Sequence, residues 1–396
     1  MHRPPRAFEE AEFAARCAAA QAAMQQAGVA ATLLTSEAEI RYFTGFMTQF
    51  WQSPTRPWFV VMPLSGKPIA VIPSIGAPLM RQGYVGDIIS WASPDEDDDG
   101  ITLVADVIRQ HVSKDAALGM LMGRETAVRM PLADLFALQK ILGMPLRDMP
   151  LRDMTAAIQK IRMVKSPAEQ AKLRYICGIV ADVFEHVPEW LRPGMPLDAC
   201  FRRFKMDALE RGVDDVSYLV GAAGAGGYDD IIAPPTSTPV ATGDVVMFDT
   251  GCVWDGYFSD FDRNFSIGPP SQQAADAHKT LFDATEAALA MLRPGITAAD
   301  LFTTMDKILR PGGSAGGDAG GDDVGRYGHG LGIQLTETPS HTAWDRTEIT
   351  AGMALTIEPS ISYGNGFVMV AEENLLVHDD HIELLSRRAP RDLPVI

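Results

Sequence analysis

The segment running from Asp244 to Ile267, DVVMFDTGCVWDGYFSDFDRNFSI, constrains the fold more than any other stretch, because strand-favouring apolar residues flank the dipeptide Asp255-Gly256. That dipeptide favours a tight type I′ turn, so the spacing predicts an antiparallel hairpin. With a turn of two residues, Trp254 pairs with Tyr257, Gly251 with Asp260 and Asp249 with Asp262, and the last four share one face. Asp249 and Asp260 then lie diagonally, roughly 7 to 8 Å apart at Cβ. Carboxylates so placed can converge on two cations about 3.5 to 4 Å apart. Without cations they repel one another and retain some protons.

A second hairpin is predicted where MALTIEPSISY and FVMVAEENLLV flank Gly364, Asn365 and Gly366, residues that tolerate positive φ. A loop of three residues pairs Tyr363 with Phe367 and, counting back, sets Glu358 opposite Glu372. A loop of two would put them on opposite faces. Between the hairpins, RYGHGLGIQLTETP carries His329 between Gly328 and Gly330, which let the backbone approach a neighbour closely. Asp249, Asp260, Glu358, Glu372 and His329 together form a hard, oxygen-rich ligand set that suits manganese, iron, cobalt or zinc better than a thiolate-seeking metal.

The rest of the chain places these hairpins in a second domain. A length of 396 residues with 46% hydrophobic content favours two domains. Helix formers from 8 to 27 stop at Gly28, and VAATLLTS, PWFVVMPL and KPIAVIPS follow as strand candidates before the helical ITLVADVIRQHV. This pattern predicts an α/β domain over residues 1–160. From Lys165, Ser166 as N-cap, Pro167 at the first helical position and Glu169 in capping-box position open a long helix and a domain spanning 161–396. Further helices are expected at LDACFRRFKMDALERG and near 271–292 and 298–309.

The formal charge of -17 repels phosphate backbones and anionic headgroups, so neither nucleic acid nor membrane is an expected partner. Four scattered cysteines suggest neither a thiolate site nor a disulfide framework. The start MHRPPRAFEE has no apolar h-region, and apolar runs such as Trp58 to Leu64 are too short to span a bilayer, so a cytoplasmic protein is expected. The acidic run PDEDDDG at 94–100 lacks EF-hand spacing and is expected to be a solvated turn. PGGSAGGDAGGDD at 311–323 has no GK[ST] ending and is expected to be a flexible surface loop.

Taken together, FDTG with the Asp of YFSDFDR eleven residues after its own, GHGLG, TIEPS and EEN before LLV resemble the creatinase and prolidase superfamily of pita-bread metallopeptidases. IRMVKSPAEQAKLR and YFTGF extend the likeness over nearly the whole chain. The resemblance implies a creatinase/prolidase-type α/β amino-terminal domain followed by an α+β pita-bread catalytic domain. It also implies two divalent metal ions per chain, manganese first. Asp249 would bind one, His329 and Glu358 the other, and Asp260 and Glu372 both, with Glu358 as general base and then acid. The expected activity is hydrolysis of an amide-type C–N bond, an Xaa-Pro dipeptide being the first-choice substrate.

Three departures accompany the match. Thr336 stands where prolidases usually place a histidine seven residues after the metal-binding one, Ile232 falls near another missing histidine, and Val370 replaces an arginine two residues before the last ligand. His341, Tyr228 and Tyr257 are the replacements weighed. Asp262 stands where threonine is common and is expected to orient a ligand or add a metal contact, unless it takes a surface role. Relatives form homodimers in which an amino-terminal domain approaches the other subunit's site, so Trp51 is expected to pack on substrate and Arg56 to pair with its carboxylate, unless FWQSPTRPWF is only an anchored turn. Alternatives are a lyase or hydrolase of a small zwitterion, such as dimethylsulfoniopropionate or creatine, and a non-catalytic binding module. The lyases carry an extra aspartate near Gly251, which is missing here.

Overall fold

The computed structural model describes residues 2–53, 56–113, 116–143, 151–311 and 325–396. The glycine-rich loop expected at 311–323 therefore lies, beyond its first residue, outside the described residues. The chain divides into two compact units, Pro5–Arg162 and Met163–Ile396 together with Met1–Pro4.

In the first unit, helix Glu10–Ala27 ends where Gly28 takes a left-handed φ of 68° and donates its N–H back to Gln25 and Met24. The chain then enters a six-stranded mixed sheet. Its order is Ile88–Trp91, Ile69–Pro73, Phe59–Pro63, Val29–Leu34, Ala117–Met120 and Leu151–Asp153. Phe59–Pro63 is buried at every position, which explains its unbroken apolar run. Helix Ile101–His111 packs Val104, Ala105 and Ile108 into the same core as Leu33, Val61 and Val71. The acidic run before that helix is a turn exposed over residues 94–97, as expected. Its end is tied down: Asp98 accepts the N–H groups of Ile101 (2.6 Å) and Thr102 at the helix start, and Asp99 accepts Trp91 Nε1–H at 2.7 Å.

The second unit opens with helix Pro167–Trp190, whose capping box joins Ser166 and Glu169 as the sequence predicts. Helices Leu197–Arg211, Gln272–Met291 and Ala298–Leu309 also fall on the expected segments. Strand Asp244–Trp254 is the spine of one five-stranded sheet. It pairs with Tyr257–Phe258 and Phe261–Ser266 on one side and with Asp215–Val220 and Ala223–Ala225 on the other. A second five-stranded sheet runs Glu337–Ser340, His329–Gly330, Ala354–Ile357, Glu373–Val377 and Ile382–Leu384. A two-stranded ribbon, Ser360–Tyr363 with Phe367–Val370, extends its central hairpin. Val245, Met247, Leu281, Leu301, Leu355, Ile357 and Leu375 share one apolar core, so both sheets and two helices are fastened to a common interior. No helix among the described residues is long and apolar enough to cross a membrane.

Candidate metal centre

The first hairpin has the predicted turn. Asp255 and Gly256 take φ of 46° and 77°, Tyr257 pairs with Trp254, and Asp262 lies directly opposite Asp249. Between Phe258 and Phe261 the ladder is interrupted at Asp260, which is 3% exposed. Its backbone N–H donates instead to Asn374 Oδ1 (2.9 Å), and Asn374 Nδ2 donates to its carbonyl. One amide side chain thus ties the first hairpin to strand Glu373–Val377 of the other sheet.

Across the same spine strand, a bulge between Val216 and Tyr218 sets Tyr218 against Gly251. A Cβ at Gly251 would fall 2.6 Å from both the Tyr218 ring and Leu335 Cδ1, so glycine is what lets the phenol lie there. Tyr218 Oη donates towards Asp249 Oδ1 (2.9 Å) and Asp260 Oδ1 (2.6 Å).

The second hairpin also keeps its predicted register. Tyr363 pairs with Phe367, Ser360 with Val370 and, in the neighbouring sheet, Ile357 with Glu373. Continuity between these pairs sets Glu358 opposite Glu372. The strand ladder breaks at this point because Pro359 has no N–H to give and Glu358 N donates to Tyr327 O (3.0 Å).

His329 comes from a third element. Gly328, at φ 129°, would hold a Cβ only 2.3 Å from Thr356 O, so close backbone approach requires glycine there, as the sequence suggests. The imidazole Nδ1 lies 2.8 Å from Gly330 O, which can only accept, and this assigns the ring proton to Nδ1. The Nε2 lone pair then faces Asp260 Oδ2 at 3.4 Å and Glu358 Oε2 at 3.7 Å. Asp260, His329 and Glu372 each offer one ligand atom within 4.8 Å of the others.

Electrostatically, burial and mutual repulsion of the carboxylates outweigh the Arg326 guanidinium in this cluster. Burial pushes the Asp249 carboxyl up to about 6, against the lowering hydrogen bond from Tyr218. Burial, then the charge of Asp249, pushes Glu358 up to about 7. Asp260 and Glu372 are held well above the usual carboxylate range by burial and then by neighbouring carboxylates. Burial, then the Arg326 guanidinium, lowers His329 to about 3, so the ring is neutral and able to ligate. Glu372 Oε1 and Asp262 Oδ1 are buried without a hydrogen-bond partner. Facing acceptors with no donor between them are costly in a protein interior, and a hard divalent cation satisfies such a set.

Of the remaining residues singled out in the sequence, Asp262 is buried opposite Asp249, and its Oδ2 accepts Asn264 Nδ2–H (2.8 Å). Tyr228 reaches the same amide, its hydroxyl donating to Asn264 Oδ1 (2.5 Å), so it acts on Asp262 through Asn264. His341 is fully buried; its N–H donates to Gly328 O, its ring nitrogen would meet a Cβ at Gly328, and burial lowers it to about 4. Tyr257 donates to Glu169 Oε1 (2.9 Å) and so belongs to the helix cap. Trp51 and Arg56 lie in the first unit. Trp51 is 8% exposed, packed with Phe46 and Trp58 under the Arg129 guanidinium, and the Arg56 carbonyl accepts from the same arginine. Ile232 is 78% exposed. Four residues escaped the sequence reading: Tyr218, which meets Asp249 and Asp260, Asn374, which holds Asp260, Asn264, which holds Asp262, and Arg326, whose Nη2 donates to Thr336 Oγ1 (3.3 Å).

A sequence profile of the creatinase/prolidase N-terminal domain matches residues 16–164. The probable dipeptidase PepE of Mycobacterium tuberculosis is 26% identical over 396 residues, 99% of this chain and 98% of the relative. The crystal structure of dipeptidase PepE from Mycobacterium ulcerans superposes with a TM-score of 0.82 at 29% identity, covering 98% of this chain and 99% of that one. Recombinant prolidase from Thermococcus sibiricus has the same fold, with a TM-score of 0.85 at 24% identity over 98% of this chain and 100% of that one. The profile of metallopeptidase family M24 matches residues 171–379, the stretch that carries both hairpins and His329, and the chain belongs to that family.

Proposed function

We propose that this protein is a homodimeric dipeptidase that cleaves an amide C–N bond, Xaa-Pro first, with residues 161–396 as the catalytic domain and 1–160 as an amino-terminal domain. Asp249, Asp260, His329, Glu358 and Glu372 would hold two divalent cations, manganese first. When bound, these supply Lewis acidity for the scissile carbonyl and lower the pKa of water. The observation that carries the reading is the group of facing acceptors: the His329 lone pair opposes two carboxylate oxygens while Glu372 Oε1 has no partner.

The chain's own residues divide the remaining work. Glu358 is 31% exposed at its side chain, so it can meet both substrate and solvent, and its carboxylate is the group that takes a proton from water and returns it to the leaving nitrogen. Gly330 keeps the His329 proton on Nδ1 and so keeps Nε2 a ligand. Tyr218 orients Asp249 and Asp260, and Asn264 orients Asp262. An aspartate at 251, the feature expected of lyase relatives, would collide with Tyr218 and Leu335.

The test is turnover by protein reloaded separately with Mn(II), Fe(II), Co(II) or Zn(II), assayed on a panel of dipeptides, dipeptide amides and dimethylsulfoniopropionate. Hydrolysis of a dipeptide that a chelator abolishes and metal restores is expected. Metal-dependent turnover of the zwitterion alone would replace the substrate assignment.

A further inference from the structure

Asp262 is held beside proposed ligands from both hairpins without being one of the five. It lies directly opposite Asp249 in the first hairpin, where paired side chains share a face about 4.5–5.5 Å apart at Cβ. Arg263 ties it to the second hairpin, since Nη1 donates to the carbonyls of both Asp262 (2.6 Å) and Glu372 (2.8 Å). The carboxylate is aimed as well as placed. Its Oδ2 accepts Asn264 Nδ2–H at 2.8 Å, the same nitrogen donates to Val370 O at 2.7 Å, and Asn264 Oδ1 accepts the Tyr228 hydroxyl at 2.5 Å. Two acceptors at the nitrogen and a donor at the oxygen fix which way this amide points. One oxygen of Asp262 is thus pinned, and the other, Oδ1, stays buried without a hydrogen-bond partner in a residue that is 1% exposed. The Arg263 guanidinium does not meet it, because Nη1 and Nη2 go to three carbonyls and to Glu373. A buried carboxylate oxygen left bare weakens a fold unless a cation satisfies it.

We propose that Asp262 is a sixth protein ligand of the centre, giving its free oxygen to the cation that Asp249 holds, with Asn264 and Tyr228 as the positioning residues that aim it. This rests on the two-cation reading above and deepens it. Five carboxylates and one imidazole then serve two divalent ions, a set richer in oxygen than the four ligands that satisfy zinc and better matched to manganese. In the metal-free chain the same oxygen only adds to the repulsion among Asp249, Glu372 and their neighbours. Asp262 therefore strengthens metal binding at the expense of the empty fold, and a residue serving packing alone would do the opposite.

The test compares the full wild-type chain with Asp262→Asn and Asp262→Thr, each freed of metal and titrated with Mn(II) by calorimetry at pH 8. Melting of the metal-free chains is followed by circular dichroism at the same pH. In both variants one of the two Mn(II) ions is expected to bind at least about 100-fold more weakly, beyond the roughly 10- to 100-fold typical of a group that acts through another ligand. Metal-free Asp262→Asn is expected to melt no lower than wild type, because a buried charge has been replaced by a neutral amide of the same shape. A smaller loss of Mn(II) affinity would overturn the assignment as a ligand. Metal-free melting that falls in both variants, or failure of both to fold, would overturn it too, by showing that Asp262 serves the fold. Wild-type protein that binds no Mn(II) would instead refute the two-cation reading itself.

Discussion

Replacing Asn374 by leucine, which keeps roughly the same shape, should damage both stability and metal binding. Asn374 is fully buried, accepts the Asp260 N–H at 2.9 Å and donates to the Asp260 carbonyl. The leucine leaves both backbone groups without partners in a position that is 3% exposed. Each orphan costs about 1–3 kcal/mol, so the loss should be about 2–6 kcal/mol. At roughly 2–4 °C per kcal/mol for a unit of this size, the metal-free melting temperature should fall by roughly 10 °C. Because the same amide fixes where Asp260 stands, affinity for Mn(II) should also drop, on the order of 10- to 100-fold. Thermal unfolding by circular dichroism and calorimetric titration with Mn(II) measure the two effects. Cys177→Ala removes only the thiol contact to Asn374 at 3.4 Å and should leave metal affinity unchanged. Stability within 1 kcal/mol of wild type, or unaltered Mn(II) affinity, would refute the tie between the two sheets as the feature that holds Asp260.

Three further outcomes follow from the same geometry. The raised carboxyls of Asp249 and Glu358 stabilise the metal-free fold when protonated; that contribution is full below the unfolded values of 3.8 and 4.5 and is lost as pH rises through about 6 and about 7. Metal-free protein should therefore melt lower at pH 8 than at pH 5, and the gain from added Mn(II) should widen over that range; a flat or rising metal-free profile would contradict this. Tyr218→Phe removes the donor to Asp249 and Asp260 and should weaken metal binding about ten-fold with little change in fold, read by competition with a chelator. Lys165→Met removes the ammonium that balances the buried Glu337 carboxylate (2.7 Å, side chains 1% and 5% exposed) and should cost about 3–5 kcal/mol in urea unfolding, part of which the double variant with Glu337→Gln recovers.

The parts of the site visible in the sequence are those governed by local rules. Asp255-Gly256 admits a two-residue turn and Gly364-Asn365-Gly366 a three-residue one, and the period of two along a strand then carries each register back to Asp249, Asp260, Glu358 and Glu372. The glycines beside His329 likewise announce close backbone approach. What was hidden depends on other elements. Tyr218 reaches the aspartates only because a bulge shifts its strand and Gly251 clears its ring, and neither effect shows in the pattern DVSYLV. Arg326 meets Thr336 through the tertiary path of the loop, and a lone arginine ahead of GHGLG has no period to mark it. The one hint was negative: a threonine where the resemblance expects an imidazole.

The central claim is that the two hairpins and His329 assemble a centre for divalent cations. Its most direct test is elemental analysis of the purified, metal-reloaded and gel-filtered chain beside His329→Ala and Asp260→Asn. About two divalent ions per wild-type chain are expected, falling to at most about one in each variant. A wild-type chain that keeps no stoichiometric divalent metal, or variants that keep the full complement, would contradict the account.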